Sequence, residues 1–204
     1  MTDKGILFVF SGPSGCGKGT ILNKYFSEYD DKNVTYSISA TTRAPRDGEI
    51  DGINYYFVTH EEFDKMISDN DLLEWTSYCD NKYGTPRKRV MDTLEKGIDV
   101  LLEIETEGAM NVKRMYPEAV LIFVLPPSVG ELRNRLVLRA TEEESVINKR
   151  VDEAIREIKL ADKYDYIILN DNLEEAVDSF RSIINSERLK ANNNKNTISE
   201  VLKK

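Results

Sequence analysis

Ile6 to Phe10 is an unbroken apolar run that stops at Ser11-Gly12, and the stretch from Ile21 to Tyr29 behind it carries apolar residues at helical spacing. A continuous run bounded by turn residues predicts a strand covered on both faces, as in a parallel sheet. Comparable runs recur at Val100 to Ile104, Val120 to Leu125 and Tyr166 to Leu169, each separated from the next by a helical pattern. This alternation predicts an α/β fold, a three-layer core with a parallel sheet between helices. Ser128 with Glu131, and Thr141 with Glu144, have the spacing of capping boxes and predict two successive helices. The second carries Ile147, Val151, Ala154, Ile155 and Ile158 on one face, and Glu174 to Leu189 is amphipathic through Val177, Phe180, Ile183 and Ile184.

Residues 36–86 break this rhythm with short β-like pieces such as Ile53 to Val58, turns at Asp47-Gly48 and Asp51-Gly52, and one helix around Glu61 to Ser68. They read as a mixed α+β insertion. The predicted unit is therefore residues 1–190, with a core of 1–35, 87–127 and 159–190, the insertion 36–86, and a helical pair 128–158. The polar, asparagine-rich tail 191–204 has the composition of a disordered segment.

Composition narrows the function. A formal charge of −8 disfavours a polynucleotide partner, which needs clustered cations for its phosphates. Arginines grouped in an acidic protein instead suit a small polyanion in one cleft, and Arg43 with Arg46, and Arg135, Arg139 and Arg150, form such groups. No apolar run approaches the roughly 18 residues of a membrane span. The start Met1-Thr2-Asp3-Lys4 lacks secretory features, so the expected compartment is the cytoplasm. The two cysteines, Cys16 and Cys79, form no metal-ligand or disulfide pattern.

Gly12-Pro13-Ser14-Gly15-Cys16-Gly17-Lys18-Gly19-Thr20 fits G-x-x-x-x-G-K between a predicted strand and helix. Glycines let backbone N–H groups turn onto phosphate oxygens, the lysine reaches the β and γ phosphates, and the helix N-terminus adds its dipole. This predicts an ATP site. Gly19 stands where Ser or Thr usually meets Mg²⁺, leaving Thr20 as the nearest hydroxyl, directly or through water. Cys16 within the loop makes thiol modification a conceivable block to ATP.

The segment from Ser37 through Ser39, Arg43 and Arg46 to Glu49, followed by Gly52, Tyr55 and Phe57-Val58, resembles the GMP-binding segment of guanylate kinases. The resemblance extends over about residues 5–188 through Glu74-Trp75, Tyr83-Gly84-Thr85, Leu102 to Glu105, Gly108-Ala109, Pro126-Pro127-Ser128 and Asn170-Asp171. It implies ATP-dependent, Mg²⁺-assisted phosphorylation of GMP and dGMP. Arg43, Arg46, Tyr55 and Tyr83 would hold the acceptor phosphate; Glu74 would accept from guanine N1–H and the 2-amino group; Ser39 and Thr85 would donate to O6. Glu105 would help position GMP, Glu103 would approach Mg²⁺ through water, and Asn170 would join the ATP site. The helical pair would be a mobile lid whose Arg135, Arg139 and Arg150 close over the triphosphate, with Lys18 and Arg43 completing the catalytic charges. Each lid arginine has an alternative partner among Glu142, Glu143 and Glu144. Departures from the family pattern are Gly19, Glu105 in place of aspartate, Glu107 in place of glutamine and Ala140 in place of glycine.

The sole histidine, His60, falls at a predicted helix start and is no base. None is needed, because a phosphate acceptor is largely ionised near neutral pH. Two other readings stay open on sequence: a kinase for another monophosphate or phosphorylated sugar, and a non-catalytic module of the same fold that binds proteins. The oligomeric state is not legible.

Overall fold

The computed structural model describes residues 3–78, 80–139 and 144–203. Strand β1 (Leu7–Ser11) runs into the glycine loop and helix α1 (Lys18–Glu28), followed by β2 (Val34–Tyr36). A second region holds β3 (Ala40–Thr41), β4 (Tyr56–Phe57), α2 (His60–Ser68), β5 (Leu72–Tyr78) and β6 (Asn81–Pro86). The chain then returns through α3 (Arg87–Glu95), β7 (Asp99–Glu103), α4 (Thr106–Met115) and β8 (Val120–Leu125). Helices α5 (Val129–Arg139) and α6 (Glu144–Ile158) precede β9 (Tyr166–Leu169), α7 (Leu173–Arg188) and α8 (Lys195–Val201).

The main sheet has the order β2-β7-β1-β8-β9 with every pairing parallel. Its apolar strands follow from burial on both faces. Phe8 and Phe10 pack with Ile21, Tyr25, Phe180 and Ile184 of α1 and α7, whereas Leu7 and Val9 point the other way, to Val90, Leu94, Ala109 and Val112 of α3 and α4. Each such side chain contributes roughly 1.5–3 kcal/mol by leaving water. The predicted parallel core is therefore present, with β2 added at one edge where no long apolar run announced it.

The insertion forms its own sheet, β4-β3-β6-β5, in which β3 and β6, and β5 and β6, are antiparallel and β3 and β4 parallel. The expected strand from Ile53 shrinks to Tyr56–Phe57, because Ile50 to Asn54 is spent in a turn closed by Ile53 N and Asn54 N donating to Ile50 O. Helix α2 begins one residue earlier than its apolar pattern, behind a Thr59/Glu62 capping box. Of the two capping pairs read from sequence, Glu131 N does donate to Ser128 Oγ at 3.0 Å, and Thr141 lies outside the described residues.

The tail has more order than its composition predicts. After a 3-10 turn at Ala191–Asn193, α8 sets its first amides on Asp3, with Asn196 N 2.8 Å from Asp3 Oδ1. A buried acid anchors the last core helix: Asp99 accepts from Ile6 N and from Arg188 Nε, both at 2.7 Å, and Arg188 also reaches Asp31 at 2.9 Å.

Candidate active site

Ligand sites in parallel α/β sheets open at the carboxyl ends of the strands. Here that edge collects the loop after β1, the end of β7, the start of α4 and the inserted sheet. A cavity of about 520 Å³ lies at the opposite edge, lined by Gly5, Ile6, Val120 and Asp165 where the strands begin. Three smaller cavities occupy the carboxyl edge.

The glycine loop is built around left-handed backbone. Gly17 has φ of +93°, and a Cβ there would stand 2.3 Å from Asn170 Nδ2. Asn170, just after β9, uses that amide to donate to Cys16 O at 2.8 Å and so pins the loop. Helix α1 starts at Lys18, earlier than its apolar period suggests, and Gly17 caps it with no side chain. Its first amides are thus left for a ligand, the arrangement that binds phosphate. Lys18 Nζ folds back onto Gly12 O at 2.5 Å and Pro13 O at 3.1 Å.

Ser14, Gly15, Gly17, Lys18, Gly19, Thr20, Asn23 and Glu103 surround a cavity of about 400 Å³. Gly15, Gly17, Thr20, Arg135, Leu138, Asn170, Asp171 and Leu173 enclose a neighbouring one of about 350 Å³. Gly12, Pro13 and Cys16 of the same loop are buried and line neither cavity. Burial pushes the Cys16 thiol up, against the pull of the nearby Lys18 charge. The exposure that thiol modification requires is therefore missing, because the loop turns Cys16 inward.

Two of the three distal arginines approach this site. Arg150 of α6 donates to Ser14 Oγ at 2.6 Å. Arg135 of α5 binds Glu131 at 3.0 Å and Asn170 O at 3.3 Å. Arg139 closes α5, and its side chain, like Ala140, Glu142 and Glu143, lies outside the described residues. Glu144 pairs with Arg133.

The third cavity, about 280 Å³, lies between the inserted sheet and α4, lined by Ser39, Tyr55, Glu74, Thr76, Tyr83, Gly84, Glu103, Ile104, Glu105, Glu107 and Gly108. Glu74 is only 7% exposed. Thr85 Oγ1 donates to Glu74 Oε1 at 2.6 Å across the β5/β6 hairpin, and a Cβ on Gly108 would come within 2.9 Å of Oε2. A glycine in the first turn of α4 is what admits the carboxylate. Burial and the Glu105 carboxylate push Glu74 up, while its hydrogen bonds from Thr85 act downward. Thr85 spends its one hydroxyl proton on Glu74, so it orients the carboxylate here and does not face the cavity as Ser39 does.

Arg43 lies 5.4 Å from the Tyr55 ring centroid and pairs with Glu49 at 2.9 Å. Tyr55 and Tyr83 pack edge to face at 6.2 Å. Arg46 stands apart, exposed on the loop, with its backbone amide held by Glu49 Oε2 at 2.8 Å. Three groups that the sequence did not single out also belong here. Tyr36 OH donates to Glu103 Oε2 at 3.0 Å, Thr76 lines the acceptor cavity, and Thr106 Oγ1 donates to Glu157 Oε1 at 3.3 Å. Burial pushes Glu157 up, and the Lys18 charge opposes it.

Among the described residues no cluster of three or more His, Cys, Asp or Glu side chains could hold a metal, and no helix is long and apolar enough to cross a membrane. A family model described as Guanylate kinase matches residues 4–187. The chain is 52% identical over 188 residues to a guanylate kinase of Oceanobacillus iheyensis, covering 92% of this chain and 90% of that protein. It is 50% identical over 190 residues to a guanylate kinase of Bacillus subtilis, covering 93% of each. A crystal structure of guanylate kinase from Anaplasma phagocytophilum superimposes with a TM-score of 0.74 at 35% identity, over 94% of this chain and 90% of that one.

Proposed function

Because this chain belongs to the guanylate kinase family, we infer that it transfers the terminal phosphoryl group of ATP to GMP, and to dGMP, in the edge cavities described above. The observation that carries the assignment of base is Glu74, a buried carboxylate aimed into a cavity of about 280 Å³. A buried acceptor without donors is costly, and guanine supplies two adjacent donors at N1–H and the 2-amino group. Adenine offers a lone pair at N1 and no 2-amino group, so it would give Glu74 no donor beyond those of Thr85; such mismatches can reject an analogue by up to about 10⁴ to 10⁵. Ser39 is the hydroxyl suited to guanine O6.

Arg43, with Tyr55 and Tyr83, receives the acceptor phosphate, the nucleotide's oxygens replacing Glu49 as partner of the guanidinium. Arg46 joins by movement of its loop. On the donor side, Lys18 leaves Gly12 O for the phosphates, and the first amides of α1 hold them. Asn170 fixes the loop, and Glu105 borders the acceptor cavity from the cap of α4. Helices α5 and α6 act as a lid that brings Arg135, Arg139 and Arg150 onto the transferring group and excludes water. The catalytic step is then alignment and charge neutralisation, since an ionised phosphate attacks without losing a proton.

Mg²⁺ fits as a companion of the nucleotide. Thr20 and Glu103 offer hard oxygen donors on one cavity of about 400 Å³, and Mg²⁺ is commonly held by one or two protein oxygens plus phosphates and water. When bound it supplies neutralisation of phosphate charge. Incubation with ATP labelled at the γ position and GMP should give GDP labelled on its terminal phosphate. Label released only as inorganic phosphate would contradict the assignment.

A further inference from the structure

Glu103 is the residue that lines both the cavity at the glycine loop and the acceptor cavity. It therefore stands where donor and acceptor phosphates would meet. The sheet explains how it comes to be there. In the parallel ladder Tyr36 lies opposite Leu101, and Glu103 is two residues beyond Leu101, so all three point to the same face of the sheet. That is the face of Phe8, Phe10 and α1. From edge strand β2 the Tyr36 ring reaches diagonally along the ladder, and its hydroxyl donates to Glu103 Oε2 at 3.0 Å.

We propose that Tyr36 is a positioning residue for phosphoryl transfer, holding the Glu103 carboxylate in one orientation at the junction of the two cavities. Tyr36 lines neither cavity, so it acts through Glu103 and not on substrate. Although the ring is half-exposed, desolvation at the phenolic end and the adjacent Glu103 carboxylate push the phenol up, which keeps it a donor throughout the neutral range. Without it, a glutamate with three rotatable bonds facing two polyanions would turn toward solvent and sample several rotamers. The proposal rests on reading the two cavities as donor and acceptor sites.

The test is a double-mutant cycle on Tyr36→Phe and Glu103→Gln, with kcat, both KM values and melting temperature measured for each protein. Tyr36→Phe removes one oxygen from a half-exposed ring, and it should lower kcat about 5-fold to 10-fold, the size of one ordinary hydrogen bond whose place water can partly take. Both KM values should stay within about 2-fold and the melting temperature should hold. In the Glu103→Gln background the same change should add less than about 2-fold, because its target is gone. Equal losses in both backgrounds, an unchanged kcat, or a loss that follows melting temperature would overturn the positioning role. If Glu103→Gln is itself as fast as the parent, the reading of Glu103 at the phosphate junction falls too; if it is slow but uncoupled to Tyr36, only the positioning role falls.

Discussion

Glu74→Gln tests base recognition with a change of one atom. The side chain is buried, its Oε1 accepts a hydrogen bond from Thr85 at 2.6 Å, and Gln keeps an oxygen for that bond. What changes is the other end: an amide N–H₂ then faces guanine's own donors. Two hydrogen bonds to a charged acceptor are worth roughly 1.5–3 kcal/mol each, and as coupled neighbours together about 3–4 kcal/mol. That is about a 10² to 10³-fold fall in kcat/KM for GMP. AMP gains, since no carboxylate charge is left facing the lone pair of adenine N1, so the GMP/AMP ratio should fall by at least about 10²-fold. The assay is steady-state ADP release with each acceptor. A pH series isolates the charge. Burial and Glu105 raise the Glu74 pKa, so in the parent KM for GMP should climb as pH falls toward it and the carboxylate protonates. The variant shares any titration of the nucleotide phosphate but lacks this step. Stability moves oppositely: with a folded-state pKa above the unfolded value, the ionised carboxylate costs stability at higher pH, and the cost fades as pH falls. The variant should therefore melt no lower than the parent at pH 8. A GMP/AMP ratio within about 3-fold of the parent, where about 10²-fold is expected, would refute the reasoning.

Arg188→Ala leaves Asp99, buried beneath Ile6, with a charge and one partner fewer. Breaking such a pair costs about 3 kcal/mol, and at about 2–4 °C per kcal/mol for a chain of this size the midpoint should drop by roughly 6–12 °C; a calorimetric shift under 2 °C would contradict the buried-pair account. Cys16 is fully buried with its thiol pushed up, so in the native protein at pH 7.5 it should react slowly with iodoacetamide and quickly after denaturation. Peptide mass spectrometry reads the site, and rapid native labelling at Cys16 would show that the loop opens.

The central strands and the glycine loop were legible because two independent signals coincide there. Phe8, Phe10, Leu7 and Val9 are apolar on both faces, and Gly17 supplies the left-handed residue before a helix. Strand β2 escaped because an edge strand of three residues, with only Val34 buried, has no run to detect. The tail escaped because polarity argues for solvent, while α8 is held by its contacts to Asp3, 193 and 194 positions away in sequence. Within the site, residue types were readable but partnerships were not. Glu74 meets Thr85 only because the β5/β6 register brings them together, and Tyr36 meets Glu103 only because β2 joins the sheet beside β7. Such contacts depend on register, which one strand's pattern does not encode. The same holds for Arg43, whose pairing with Glu49 follows from the turn at Arg46 to Glu49.

The most direct test of the account is the acceptor preference of the unmodified protein. ADP release would be followed with Mg-ATP and GMP, dGMP, AMP, CMP or dTMP offered in parallel. GMP and dGMP should be phosphorylated efficiently, and the other three at rates lower by orders of magnitude. Preference for any base other than guanine would contradict the account.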